Sequence, residues 1–215
     1  MMWFRAFLTR SKSRLPRGPR PQRRPAGRRH LFTLEQLESR TVLSAYSAVS
    51  VADLIADINA ANTAGGANTI TLAAPTTSPY LLTAVDNTTD GATGLPVIAA
   101  GDSLTIVGNG DTIERSSAAG TPAFRLFDVA AGASLTLGNL TLEGGLAQGS
   151  GVSAEGGGIY SQGTLTLNGL TVENNIAQGA NGVPSSPGQD AAGGGIYASG
   201  ALTLEGGTRI LDNEA

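Results

Sequence analysis

Gly156-Gly-Gly-Ile-Tyr160 and Gly193-Gly-Gly-Ile-Tyr197 are the same five residues, 37 positions apart. Each is followed by an alternating segment, Thr164-Leu-Thr-Leu167 after the first and Ala201-Leu-Thr-Leu204 after the second. Upstream, Thr69-Ile-Thr-Leu72, Ser103-Leu-Thr-Ile-Val107 and Ser134-Leu-Thr-Leu137 share that pattern. Leu or Ile alternates with Ser or Thr at the period of two that a strand requires, and the branched Cβ of Thr suits a pleated surface. Leu104, Leu135, Leu165 and Leu202 are separated by 31, 30 and 37 residues. Leu146-Ala-Gln-Gly149 returns as Ile176-Ala-Gln-Gly179, and Glu173-Asn-Asn175 returns as Leu211-Asp-Asn213 once one extra residue is allowed at Gly206-Gly207. Self-similarity of this kind calls for a repeat architecture.

Each unit reads as strand, turn, strand, a turn at Asn168-Gly169, strand and then a loop. Three short strands per unit without helices predict an all-β, right-handed parallel β-helix. Leucine-rich repeats would need an asparagine ladder at a shorter fixed period, and propeller blades would need four antiparallel strands. Unequal spacing is assigned to loops of different length, such as Gln178 to Ala192 with its Pro184 and Pro187. Equivalent residues would lie about 4.8 Å apart. Leu135, Leu165 and Leu202 should then form one aliphatic ladder, Leu137, Leu167 and Leu204 a second, and Ile159 over Ile196 a third. The glycines at 156–158 and 193–195 are expected to turn tight corners with positive φ.

Ahead of the repeats, Ser50 to Asn62 carries the signature of an amphipathic helix. Ser50 is the expected N-cap with Asp53 three residues on, and Val51, Leu54, Ile55 and Ile58 share one face. A single helix before many strands suits a cap over an exposed core end. The expected organisation is a leader over 1–49, a capping helix and connection over 50–68, and repeats over 69–215. The chain stops at Ala215 just after an Asn corner, so truncation or a longer parent protein is expected.

The net charge of −3 conceals an asymmetry. Residues 1–40 carry 11 of the 14 Lys and Arg against Glu35 and Glu38, and the remainder carries three Arg against 15 acids. The Arg- and Pro-rich run over 10–29 is expected to be a disordered targeting segment, because prolines interrupt a helix and like charges repel. No apolar stretch is long enough to span a membrane as a helix. With no Cys, disulfides, thiol catalysis and Cys-ligated metals are excluded.

Leu34-Glu35-Gln36-Leu37-Glu38-Ser39-Arg40-Thr41-Val42-Leu43-Ser44 resembles the planctomycete-type extracellular leader, with Val42 and Gln36 as departures. That resemblance implies a secreted or surface protein of a bacterium, processed near Ser44–Ala48. The repeats resemble the polymorphic outer-membrane protein repeat family, within the pectin-lyase-like superfamily. The motif residues are Gly156, Gly157, Gly158 and Ile159 with Asn174 and Asn175, and Gly193, Gly194, Gly195 and Ile196 with Asn213. The family's Phe before the Asn is missing, since Val172 stands there. This resemblance implies an adhesin-like, outer-membrane-associated or extracellular location.

Catalysis has little to draw on. The only His is His30, in the leader, and Arg115, Arg125 and Arg209 are the only basic residues after position 40. Eight acids (Asp86, Asp90, Asp102, Asp111, Asp128, Glu143, Glu155 and Glu173) could converge in space as a hydrolase requires, yet most sit where turns favour Asp. Gly108-Asn-Gly-Asp111 is read as a type I′-like turn rather than a calcium loop. Tyr160 and Tyr197 occupy matching positions, where they either contact a sugar or cover a strand edge. The expectation is therefore an exported β-helix with a structural or adhesive role, no catalysis, no cofactor and no nucleic-acid partner. Its partner would be an extracellular polysaccharide or another surface protein. The alternative is a secreted polysaccharide lyase or glycoside hydrolase, which would show an acidic or acidic–Arg groove.

Overall fold

The computed structural model describes residues 44–149 and 153–215, together with Gly18. The chain divides between Glu38 and Ser39 into two units, and all that follows concerns the second. The export motif up to Leu43 and, Gly18 apart, the Arg-rich run lie outside the described residues. Among the described residues the protein is mostly β, with one helix, and its strands pair in parallel. No helix among them is long and apolar enough to cross a membrane.

The first sheet takes one strand from each successive repeat: Ser44–Ala48, Gly66–Leu72, Asp102–Val107, Ser134–Gly138, Thr164–Asn168 and Leu202–Glu205. Its register sets Leu104, Leu135, Leu165 and Leu202 side by side, and Ile70, Ile106, Leu137, Leu167 and Leu204 beside one another. These positions are buried as far as Leu167, because alternation sends every second side chain to the same face. On the other face Thr69, Thr105, Thr136, Thr166 and Thr203 form a row. The second sheet comprises Tyr80–Leu82, Thr112–Arg115, Thr141–Glu143, Thr171–Glu173 and Arg209–Leu211. A third holds Phe127–Val129, Ile159–Ser161 and Ile196–Ala198, which stacks Phe127, Ile159 and Ile196.

Two corners are built from residues that tolerate left-handed backbone. Between the first and second sheets, Asn109 and Asn139 take φ of 53° and 50°, and Gly169 and Gly206 take 63° and 60°. Asn adopts this region more readily than other side-chain-bearing residues. The Asn109-Gly110 turn has positive φ at both residues and closes with Asp111 N–H donating to Gly108 O at 2.8 Å, as a type I′ turn does. The extra residue at Gly206-Gly207 is absorbed in this corner: Asn168 pairs with Glu205 while Thr171 pairs with Arg209.

The helix spans Val51–Ala64. Asp53 N–H donates to Ser50 Oγ at 3.2 Å, and the Asp53 carboxylate accepts from the Ser50 hydroxyl and the Val49 amide. Leu54, Ile58 and Ala61 enter the core beside Ala48, Ile70 and Leu72. At the helix end Gly65 takes φ 63°, and the Asn68 amide donates to Gly65 O at 3.2 Å and to Asp102 Oδ1 at 3.1 Å. Asn68 thus replaces a leucine in the ladder in order to hold the helix exit.

Two boundaries differ from the sequence reading. Ser44–Ala48, assigned above to the leader, pairs with Gly66–Leu72 from Ser44↔Asn68 to Ala48↔Leu72. Tyr80 locks it there, its hydroxyl donating to Ala48 O at 2.6 Å. The repeat strands correspondingly begin at Gly66 rather than at 69.

Candidate functional site

The repeated glycines and asparagines form one clamp. Asn174 and Asp212 take the left-handed corner, with φ of 54° and 49°. The following residues, Asn175 and Asn213, use their amides to link adjacent repeats. Asn175 Oδ1 accepts from Gly145 N–H at 2.9 Å, and Asn213 Oδ1 accepts from Asn175 N–H at 3.0 Å. Each Nδ2 donates to the carbonyl two residues back and to one in the preceding repeat: Glu173 and Leu142 for Asn175, Leu211 and Val172 for Asn213.

The glycines make room for these amides. A Cβ at Gly158 would stand 3.1 Å from Asn175 Cγ, and one at Gly195 would stand 2.8 Å from Asn213 Cγ. Hence the Gly-Gly-Gly-Ile segment and the later Asn travel together: the one leaves the space that the other fills. Of the six glycines only Gly156 and Gly193 have positive φ, 65° and 62°. The expected corner role therefore fits those two, and the other four are needed for close approach.

Next to this clamp lies a column of side chains. Tyr160 and Tyr197 pair in register, with ring centroids 5.5 Å apart and planes 4° from parallel. The Arg125 guanidinium covers the other face of Tyr160, its Cζ 4.8 Å from the ring centroid. Such a cation–π contact contributes about 1–2 kcal/mol when desolvated. Both faces of Tyr160 are thus taken, so it offers no face to a sugar, and Tyr197 has one face on Tyr160. The Tyr160 hydroxyl accepts from Gln162 Nε2 at 2.9 Å. Glu155 beside Tyr197 raises that phenol's pKa.

Arg125 is held by Asp90, whose carbonyl accepts from its Nη1 at 2.7 Å. Asp128 pairs in register with Tyr160. Arg125 and Asp128 are only 6% and 0% exposed, which seals both from solvent. Neither Asp128 carboxylate oxygen nor Arg125 Nε has a hydrogen-bond partner among the described residues. Burial raises the Asp128 pKa from 3.8 to about 6; Asp90's charge acts the same way and Arg125 opposes it in part. Burial likewise lowers the Arg125 pKa, against the pull of Asp128, Tyr160, Asp90 and Glu155. A charged cluster is therefore present, with Arg125 and Asp128 buried at its centre, Glu155 half-buried and Asp90 exposed.

This cluster was hidden in the sequence because Asp90 and Glu155 reach Arg125 only through folding. The one available signal was Arg125 lying three residues before Asp128, too common a spacing to single out. Glu143 and Glu173 line up instead on the second sheet with Glu114. Asp102 serves Asn68, and Asp111 is buried in its turn. Among the described residues, no three His, Asp or Glu side chains gather in an arrangement that could hold a metal ion.

Because the folded-state pKa of Asp128 is raised, the folded protein binds its proton more tightly than the unfolded chain does. The resulting stabilisation is complete below about pH 3.8 and is lost as pH rises through about 6. Allowing for solvent screening, this group should make the protein about 1 kcal/mol more stable at pH 5 than at pH 8. Asp128→Asn should remove that part of the slope. Urea unfolding of both proteins at the two pH values measures it, and an unchanged slope would show that Asp128 does not titrate abnormally.

Compared with family models, with curated proteins and with solved structures, the chain gives no match.

Proposed function

We propose that this chain is a right-handed parallel β-helix, exported by a bacterium, which acts as a structural or adhesive element outside the cell or at its surface. The observation that carries this reading is the parallel register itself. In every sheet, equivalent residues of successive repeats lie side by side, and in the first sheet this sets Leu and Ile inward and Ser and Thr outward. Stacking of that kind gives a stiff support whose outer faces and loops are free to vary. The resemblance of 34–44 to an export leader supplies the location. Processing upstream of Ser44, rather than within Ser44–Ala48, would leave the edge strand whole.

The contact element we assign is the loop 179–190, between Ile176–Gln178 and Ala191–Ala192. Its base is closed by Gln189 N–H donating to Ala180 O at 2.8 Å. Its tip is a two-residue turn over Pro184-Ser185, with Val183 and Ser186 exchanging backbone bonds of 2.9 Å. Val183 is 60% exposed there. An apolar side chain on a fixed, proline-bearing tip presents a surface at low ordering cost.

Replacing 179–190 by the shorter 149–153 sequence of the preceding repeat tests this assignment. Stability should change by less than about 1 kcal/mol, because loop length enters only logarithmically. Binding to extracellular polysaccharides or to cells should fall. Retained binding would remove the loop from the proposal, and a chain recovered from cells unprocessed and unlabelled by surface reagents would overturn export.

A second reading, a polysaccharide lyase or glycoside hydrolase, would draw on the Arg125, Asp128, Asp90 and Glu155 cluster, and it requires the buried Arg125 and Asp128 to become accessible to a substrate. Release of new chain ends from an acidic polysaccharide, abolished by Asp128→Asn, would favour it over the adhesive reading.

A further inference from the structure

The chain contains three Asn-Gly pairs, at 109–110, 168–169 and 181–182. An Asn-Gly pair can deamidate without an enzyme, since glycine leaves its own amide unhindered. The Gly nitrogen attacks the Asn Cγ, and a new C–N bond forms as the Cγ–Nδ2 bond breaks. The amide proton leaves with the side-chain nitrogen as ammonia. Water then opens the five-membered imide at either carbonyl, giving aspartate or isoaspartate. The step needs a glycine amide free to leave its hydrogen bond and turn towards the side chain.

Two of the three pairs are denied that freedom. Gly110 N–H donates to Asn139 O at 2.7 Å, and the Asn109 side chain is held by Leu72 O at 2.9 Å. Gly169 N–H donates to Glu205 O at 3.1 Å, and Asn168 belongs to a strand paired on both sides. Both pairs reach the solvent, so exposure does not distinguish them from the third. At 181–182 both residues are exposed, and the Gly182 amide has no hydrogen-bond partner among the described residues. The bonds that shape this loop, Gln189 to Ala180 and Val183 to Ser186, bracket the 181–182 peptide without using it.

We infer that Asn181 is a deamidation site, selected by the fold from three identical sequence pairs. Conversion adds a negative charge to the loop, and on the isoaspartate route it lengthens the backbone by one carbon between residues 181 and 182, one residue before Val183. The loop tip therefore changes with the age of the molecule. This inference does not depend on the proposed function.

The test is incubation of the purified full-length chain in mildly alkaline buffer, with the conversion of each Asn to Asp or isoAsp followed by peptide mapping and tandem mass spectrometry. Breaking a ladder hydrogen bond costs about 1–1.5 kcal/mol, which is roughly tenfold in population. Asn181 should therefore convert roughly tenfold faster, or more, than Asn109 or Asn168. In denaturant the three rates should converge. Asn181→Gln should abolish the signal at that position with an unchanged circular dichroism spectrum. Conversion of Asn109 or Asn168 at the native rate of Asn181 would overturn the inference, as would the same lead for Asn181 in denaturant.

Discussion

Gly157→Ala is expected to destabilise the protein by about 3 kcal/mol or more, with a collapse of the thermal transition as the readout. Gly157 lies in the middle of the clamp. An added Cβ would run into the Gly194 carbonyl on one side and the Ile176 backbone on the other. Neither neighbour is a side-chain end that could swing aside, and both belong to strands or corners fixed by parallel pairing. Separating them would stretch bonds such as Gly157 N–H to Gly193 O, at 3.2 Å, and Gly158 N–H to Gly195 O, at 2.9 Å. Gly101→Ala is the control. Gly101 has φ 86° and open space around it, so its cost is confined to backbone strain of about 1 kcal/mol. Equal losses in the two variants would show that the repeats are not packed backbone to backbone at Gly157.

Asn175→Ala should cost about 3 kcal/mol at a nearly unchanged denaturant slope. Its side chain, 0% exposed, satisfies the Gly145 amide and the carbonyls of Leu142 and Glu173. Truncation leaves these backbone groups buried without partners, and each such loss costs about 1–3 kcal/mol. Asn175→Asp should be no better, because a carboxylate cannot donate to the two carbonyls. The neighbouring Asn174→Gly, at φ 54°, should cost almost nothing, because glycine accepts that corner freely. A loss at Asn174 as large as at Asn175 would mean that corner geometry, not the buried amide, holds the repeats together.

The strands and their register were legible in the sequence because period-two alternation and the recurrence of whole segments are one-dimensional signals. Leu104, Leu135, Leu165 and Leu202 meet as their spacing implied, with the unequal intervals taken up in loops. The helix was equally plain, from Ser50 and its apolar face. Ser44–Ala48 was missed for a physical reason. Ser-Ala-Tyr-Ser-Ala has little aliphatic character, and it becomes a strand because Gly66–Leu72 offers an edge and Tyr80 bonds its last carbonyl.

The same holds at the site. The glycine and asparagine motifs could be seen to recur, but not that Gly158 faces the Asn175 amide, since that pairing depends on which residues end on one level. Arg125, Asp128, Asp90 and Glu155 met the same obstacle. Their proximity is set by the parallel bridge between Thr93 and Arg125 and by the pairing of Asp128 with Tyr160, both long-range contacts.

The corner at Gly206-Gly207 takes in one residue more than its counterpart at Gly169, and the strands on either side still meet like against like. A gene for such a chain is therefore tolerant of its own copying errors. Misaligned recombination between the stretches encoding Ser134–Glu143 and Thr164–Glu173, 30 codons apart, would add or remove a whole layer. Every Leu would still find an aliphatic neighbour and every corner an Asn, Asp or Gly. Small slips would be lost in the turns. On the proposed β-helix, a gain or loss of this kind would change the number of stacked repeats without first rebuilding a core.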